Sequence, residues 1–238
     1  MGTLYLVSTP IGNLGDISQR AIETLFKIDY ILCEDTRRTG NLLKQLETKL
    51  SNPKHPKLIS FYEEVENQKT AEVLNYLQND FSVALISDAG TPLISDPGYK
   101  LVSVCLRKNI QVISIPGSTA FVTALISSGL PSNSFWFLGF SPQKTLKRQS
   151  YFKSLLSTLN KLPKSISMPT LIFYESPHRL IEVIKDLGEV FGNREVVLAR
   201  ELTKIYETIE KKMVNKWLEY FTKIKPQGEY VILFNLKS

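Results

Sequence analysis

Short apolar runs alternate along this chain with stretches whose apolar positions recur every three or four residues. "GTLYLVSTP" is β-rich and ends at Pro10, and beyond a Gly/Asn turn "DISQRAIETLFKID" sets Ile17, Ala21, Ile22 and Leu25 at helical spacing. Asp16 or Ser18 is of the type that caps such a helix. The alternation continues with the strand "YILCED", the helix "TRRTGNLLKQL", the strand "LISFY", the helix "NQKTAEVLNYLQN", the strand "SVALISD", the helix "YKLVSVCLRKN" and the strand "QVISIP". "ETKLSNPKHPK" is polar and broken by proline, so it reads as a loop. Strands and helices at this spacing build a parallel sheet through crossover helices, which predicts an α/β domain of about five strands.

At Pro116 "PGSTAFVTALISSGLP" opens a new segment, and "SFWFLGF", "TLIFYES", "REVVLAREL" and "GEYVILFNL" supply four further strands with helical patterns between them. The boundary falls near Ser114 to Ser118, giving an N-terminal α/β domain over 1–115 and a smaller mixed-sheet α/β domain over 116–238. No internal repeat stands out, and "NKLPKSISMP" reads as a mobile loop.

Composition then narrows the class. With 43% hydrophobic and 22% charged residues among 238, the chain has the make-up of an ordinary globular protein. No segment is apolar enough to span a bilayer, and "MGTLYLVSTPIGN" lacks the basic and apolar regions of a signal peptide, so a cytoplasmic location is expected. The two cysteines, Cys33 and Cys105, sit in apolar patterns and predict buried fillers rather than a disulfide framework. His55 and His178, the only histidines, have no zinc spacing, and catalysis without a metal is expected. A formal net charge of +6 is compatible with a polyanionic partner such as RNA.

Four sharp turns follow predicted strands: "STPIGNLGD", "CEDTRRTG", "SDAGTPLISDPG" and "PGSTA". In open α/β sheets ligands collect outside the carboxyl ends of the strands, where Gly and Pro let backbone approach them closely. One such turn is more often a tight connection; four together point to a site. Neither G-x-x-x-x-G-K-[ST] nor G-x-G-x-x-G after the first strand is present, which disfavours a nucleotide hydrolase or a dehydrogenase.

In order along the chain, "LYLVSTPIGNLGDIS", "CEDTRRTGNLL", "SDAGTPLISDPG", "PGSTA", "FLGFSPQK", "TLIFYESPHRL", "LARELTKIYE" and "QGEYVIL" resemble the motifs of the bacterial 16S rRNA 2'-O-methyltransferase I subfamily of the tetrapyrrole methylase superfamily. The resemblance runs from Gly2 to about Phe234. It implies a two-domain tetrapyrrole-methylase-like fold with a mostly parallel N-terminal sheet and a mixed C-terminal sheet. It further implies an S-adenosyl-L-methionine cleft between the domains, a homodimer, and 2'-O-methylation of a cytidine ribose in the decoding region of 16S rRNA or the small ribosomal subunit. Longer members continue into a helical C-terminal extension, whereas this sequence ends at Ser238, so any RNA contact made by such an extension is not expected. Where members carry a His/Asn-containing segment after the third strand, this one has "SFYEEVENQK".

Carried over residue by residue, the resemblance directs Leu14, Asp88, Ala89, Gly90, Thr91, Thr119, Ala120, Tyr174, Glu175, Leu202, Gly228 and Glu229 to the cofactor. The turn at Asp96 to Gly98 would brace the cleft. Methyl transfer from a sulfonium to a hydroxyl needs alignment first and a proton acceptor second. Glu34, Asp35, Arg37, His178 and Glu201 are the catalytic candidates, with the base unassigned. His178 is equally well read as a helix-start residue bonded to Glu175. Lys144, Lys147, Arg148, Arg179, Arg200 and Lys204, with Lys161 and Lys164, are candidate phosphate contacts, against the reading of each as a solvated surface charge. A tetrapyrrole methyltransferase and a noncatalytic RNA-binding protein on the same scaffold remain the alternatives.

Overall fold

The structure is a computed structural model and describes residues 1–51 and 53–237. It divides into two compact units, Met1–Thr119 and Ala120–Ser238.

Five strands form the first unit's sheet: β1 (Thr3–Val7), β2 (Tyr30–Cys33), β3 (Lys57–Ser60), β4 (Val83–Leu85) and β5 (Gln111–Ile115). They lie in the order β3-β2-β4-β1-β5 and every pairing is parallel. Four helices make the crossovers: α1 (Gln19–Leu25), α2 (Thr36–Glu47), α3 (Glu66–Gln78) and α4 (Tyr99–Arg107). Alternate strand residues serve opposite faces. Val7, Ile31, Cys33, Ala84 and Ile86 pack with Ala21, Ile22 and Leu25 of α1 and Leu46 of α2. Leu4, Leu32, Val83 and Leu85 pack with Val73 and Leu77 of α3 and Leu101 and Cys105 of α4. Both cysteines are thus buried filler, as their apolar surroundings in the sequence predict. Neighbouring β4 and β1 send their connections to opposite sides of the sheet, β1 to β2 and β4 to β5. Their carboxyl ends therefore form a topological switch point, where an open α/β sheet leaves a crevice.

The second unit contains α5 (Ala120–Ser127), β6 (Phe135–Phe140), α6 (Thr145–Asn160), β7 (Thr170–Glu175), α7 (Leu180–Phe191), β8 (Glu195–Arg200), β9 (Thr208–Met213), α8 (Val214–Lys223) and β10 (Tyr230–Phe234). The sheet order is β6-β7-β10-β8-β9; β6 and β7 are parallel, while β10 runs antiparallel to β7 and β8, and β8 to β9. Where the pattern predicts four strands there are five. The additional one, β9, is an edge strand reading "TIEKKM", whose charges at Glu210, Lys211 and Lys212 hide its strand character and protect the edge from pairing with another chain. Phe152 and Leu155 of α6, Val183 and Leu187 of α7 and Trp217 and Phe221 of α8 cover one sheet face, and Trp217 donates its indole N–H to Val196 O at 2.8 Å.

Phe173 lies at the centre of this core, fully buried, 5.7 Å from Phe152 and 6.4 Å from Phe234 between ring centroids. Phe173→Ala is expected to lower the free energy of unfolding by about 3–5 kcal/mol, read from urea denaturation of the full chain.

Candidate functional site

In the first unit the loops after β1, β4 and β5 are tied together by short side chains. Thr9 and Gly90 exchange backbone bonds, N to O at 2.9 Å and 3.2 Å, and Thr9 Oγ1 donates to Ser87 O at 3.1 Å. Thr91 Oγ1 is 3.1 Å from Ser118 O, 3.0 Å from Ser8 Oγ and 2.7 Å from Thr119 Oγ1. A hydroxyl has one proton and two lone pairs, so all three contacts are satisfied if Thr91 donates to the carbonyl and accepts from the other two hydroxyls. The glycines here answer to close approach. Gly90 has φ +92°, and a Cβ on Gly117 would lie 2.7 Å from Ser8 Cβ. Leu14 stands nearby in sequence as the first residue of a 3-10 turn, Leu14–Asp16, capped by Asn13 and packed against the α1 core.

The acids form a second group at the same strand ends. Asp35 caps α2, accepting from Arg37 N at 2.8 Å and Arg38 N at 3.4 Å. The Arg37 guanidinium 3.3 Å away, with that backbone N–H, holds the Asp35 carboxyl below its usual range. Asp88 accepts from Asp35 N at 3.3 Å and pairs with Arg38 at 3.0 Å, while Ala89 beside it is exposed. Glu34 Oε1 accepts from Asp88 N at 3.5 Å, and burial pushes the Glu34 carboxyl up. The pattern of the sequence missed Asp96 as a titrating group. Burial, and secondarily the charge of Glu34, pushes it up to about 6. Its signal was present as a second "LISD", at 93–96 after the first at 85–88. Leu93 and Ser95 hold left-handed backbone, φ 70° and 68°, and so shape the second turn. Glu34 and Asp96 line a cavity of about 490 Å³ with Tyr62, Tyr99 and Lys100.

The remaining candidates belong to the second unit. Ala120 begins α5, and Tyr174 accepts from Phe121 N at 3.2 Å, its ring against Phe137 and Phe140. Glu175 is only 2% exposed, and its carboxylate is engaged by Arg179 at 2.8 Å and 2.9 Å, by Ser141 Oγ at 2.9 Å and by Ser176 N at 2.8 Å. Its helix-start partner is therefore Arg179 rather than His178, which is exposed. Glu201, at φ 50°, accepts from Glu229 N at 3.0 Å and lies 3.1 Å from Lys204, which also pairs with Glu229 at 2.9 Å. Burial raises the Glu201 carboxyl, but that backbone N–H and the Lys204 charge outweigh it and hold it below its usual range. Gly228 packs so tightly there that a Cβ would lie 2.6 Å from Glu201 Cγ, and the Leu202 side chain is buried. Arg200 Nε donates to Gln227 O at 2.7 Å.

Lys144, Lys147, Lys161 and Lys164 are exposed, but Arg148 corrects its expectation as a phosphate contact. Its side chain is 0% exposed, with Nε 2.6 Å from Asp186 and the remaining nitrogens on Gln143 O, Pro142 O and Thr145. Helical periodicity turns this residue inward, towards an acid that the local sequence does not reveal. Among the described residues no group of three or more His, Cys, Asp or Glu side chains is placed to hold a metal ion, and no helix is long and apolar enough to cross a membrane.

The sequence profile of the family described as Tetrapyrrole (Corrin/Porphyrin) Methylases matches residues 3–215. Ribosomal RNA small subunit methyltransferase I of Synechocystis sp. is 44% identical over 234 residues, 98% of this chain and 78% of that one. The protein of the same name from Thermotoga maritima is 41% identical over 238 residues, the whole of both chains. Among solved structures, the uroporphyrin-III C-methyl transferase of Thermus thermophilus complexed with S-adenyl homocysteine has the same fold, with TM-score 0.62, 16% identity and 99% of each chain covered.

Two outcomes are expected. Arg148→Ala should destabilise the chain by about 3–5 kcal/mol, because it strands the buried Asp186 charge; denaturant melts check this. Asp96 titrates above its ordinary value in the folded chain, so it costs no stability below about pH 4 and costs progressively more as pH rises through 6. Asp96→Asn should therefore raise the melting temperature at pH 7.5 and lose that gain at pH 4, in thermal melts across pH.

Proposed function

We propose, because this chain belongs to the tetrapyrrole (corrin/porphyrin) methylase family, that it is an S-adenosyl-L-methionine-dependent methyltransferase of small-subunit ribosomal RNA, acting on the ribose 2'-hydroxyl of a decoding-region cytidine. The observation that carries this reading is identity of 41–44% through both units to proteins named for that rRNA activity. The ligand of the uroporphyrin relative supports S-adenosylmethionine as the methyl donor.

The residues of the first unit suit that donor. A cation is favoured by the Asp88 carboxylate, and the positive-φ backbone at Gly90 and the bare Cα of Gly117 keep Cβ atoms out of the crevice. On this reading Asp88, Ala89, Gly90, Thr91 and Thr119 hold the cofactor with backbone near Leu14. Ala120, Tyr174, Glu175, Leu202, Gly228 and Glu229 complete the set from the second unit; the buried Leu202, and Glu175, already engaged by Arg179, would contribute by shape and backbone. When bound, S-adenosylmethionine supplies an electrophilic methyl carbon.

The chain's own task is to align the 2'-hydroxyl with that carbon, exclude water and accept the proton. Among the five catalytic candidates Glu34 is the best acceptor, because burial raises its carboxyl and one oxygen is fixed by the Asp88 N–H. Asp35 caps and orients α2, and Arg37, paired with Asp35 but 89% exposed at its side chain, has further guanidinium N–H groups to offer a phosphate. His178 stays a second-unit candidate, and Glu201 serves to hold Lys204 and the 228–229 turn. Lys144 and Lys147 would meet further phosphates, with Arg200 and Lys204 at the ends of their loops. The exposed apolar side chains of Val122, Ile126, Phe135 and Phe140 favour self-association as a homodimer. An rRNA substrate implies a cytoplasmic protein.

Purified protein, labelled S-adenosylmethionine and, in parallel, unmodified small subunits, free 16S rRNA and a porphyrinogen test the reading. Label mapping to a cytidine 2'-oxygen is expected, and label only in the porphyrinogen would replace the rRNA reading with the tetrapyrrole one. Asp88→Ala and Thr119→Tyr should each weaken S-adenosylmethionine binding about tenfold or more in calorimetry, with the melting curve retained.

A further inference from the structure

Building on the rRNA reading, we propose that the cavity at the carboxyl ends of β2, β3 and β4 receives the base of the target nucleotide, with Tyr62 and Tyr99 as stacking faces and Asp96 reading an exocyclic amino group.

Size and position support this use. About 490 Å³ lies within the roughly 300–1,000 Å³ of small-ligand sites. Glu34 lines the cavity and also accepts from Asp88 N, so one side chain touches both this space and the turn assigned to the cofactor. The far wall is rigid, because the buried Glu66 accepts from Gly98 N at 3.2 Å and Lys100 N at 3.1 Å.

Chemistry selects the occupant. A carboxyl-rich space repels phosphate, and Lys100, the only lining cation among the described residues, lies 3.1 Å from Asn67 Oδ1. Among the described residues the acids form no metal-ligand cluster. A neutral planar group with amino donors meets both conditions, and cytosine offers its N4 amino group where uracil offers an acceptor. Tyr99 and Tyr62 are 75% and 39% exposed, so both rings are accessible for a base to stack on. Enzymes that must reach atoms of a stacked nucleotide draw it out into such a pocket.

The test uses small subunits carrying either cytidine or uridine at the position that the wild-type protein methylates, with Tyr99→Ala and Asp96→Asn as variants. Each variant is also titrated with S-adenosylmethionine by calorimetry. Tyr99→Ala should raise KM for subunits about fivefold or more, and Asp96→Asn should shrink the preference for cytidine about tenfold, both with unchanged cofactor affinity. Wild-type KM and base preference in both variants, while the wild-type protein methylates rRNA, would overturn the pocket alone. A parallel fall in cofactor affinity would reassign the cavity to the cofactor and equally overturn it. No label from the wild-type protein in any rRNA would remove the rRNA reading beneath it.

Discussion

The hydroxyl of Thr91 is the junction on which the first unit's site depends. Three loops leave the sheet at β1, β4 and β5; backbone bonds between Thr9 and Gly90 join the first two, and Thr91 joins the third to them. Thr91 Oγ1 meets Ser8 Oγ, Thr119 Oγ1 and Ser118 O within 3.1 Å, which holds a residue from each loop at one point. Such a junction saturates the hydrogen-bonding capacity of one small side chain, so a residue without the hydroxyl would leave three partners to find others. Gly90 and Gly117 then follow from the same geometry, since β-carbons there would press on Ile11 and Ser8.

Around that junction the carboxyl groups are divided between support and chemistry. Asp35 is committed to the amino end of α2 and its charge is stabilised there. Glu34 and Asp96 are held in the opposite sense, disfavoured as anions by burial first, and then by the charge of Asp88 on Glu34 and of Glu34 on Asp96. A carboxylate whose affinity for a proton is raised by burial is the better proton acceptor, which is the role proposed for Glu34. The second unit uses buried charge differently. Arg148 with Asp186 and Arg179 with Glu175 are complete ion pairs that fix α6, α7 and β7 and leave little capacity for a ligand.

Much of this was legible from periodicity. The five parallel strands and four crossover helices of the first unit appear as apolar runs and helical spacing, because a buried parallel strand is apolar throughout. The edge strand β9 escaped because one solvated face and three charges dilute that signal. The two compact units divide between Thr119 and Ala120, where the sequence reading opens a new segment at Pro116 and puts the boundary near Ser114 to Ser118. The resemblance pointed to Asp88, Thr91 and Thr119 but held no sign of the bond between Thr91 and Thr119 or of the pairing of Asp88 with Arg38, and it could not distinguish buried Arg148 from exposed Lys144 and Lys147. Asp96 read as a turn brace because its burial arises only in the fold and the Glu34 charge that acts on it is remote in sequence.

On the proposed reading the cofactor rests on the Thr91 junction. A crystal structure of the protein soaked with S-adenosylhomocysteine tests it most directly. Density for the ligand is expected against Asp88 to Thr91 and Thr119, with the Thr91 hydroxyl bonds intact. Density elsewhere on the chain, or an empty crevice at saturating ligand, would contradict it.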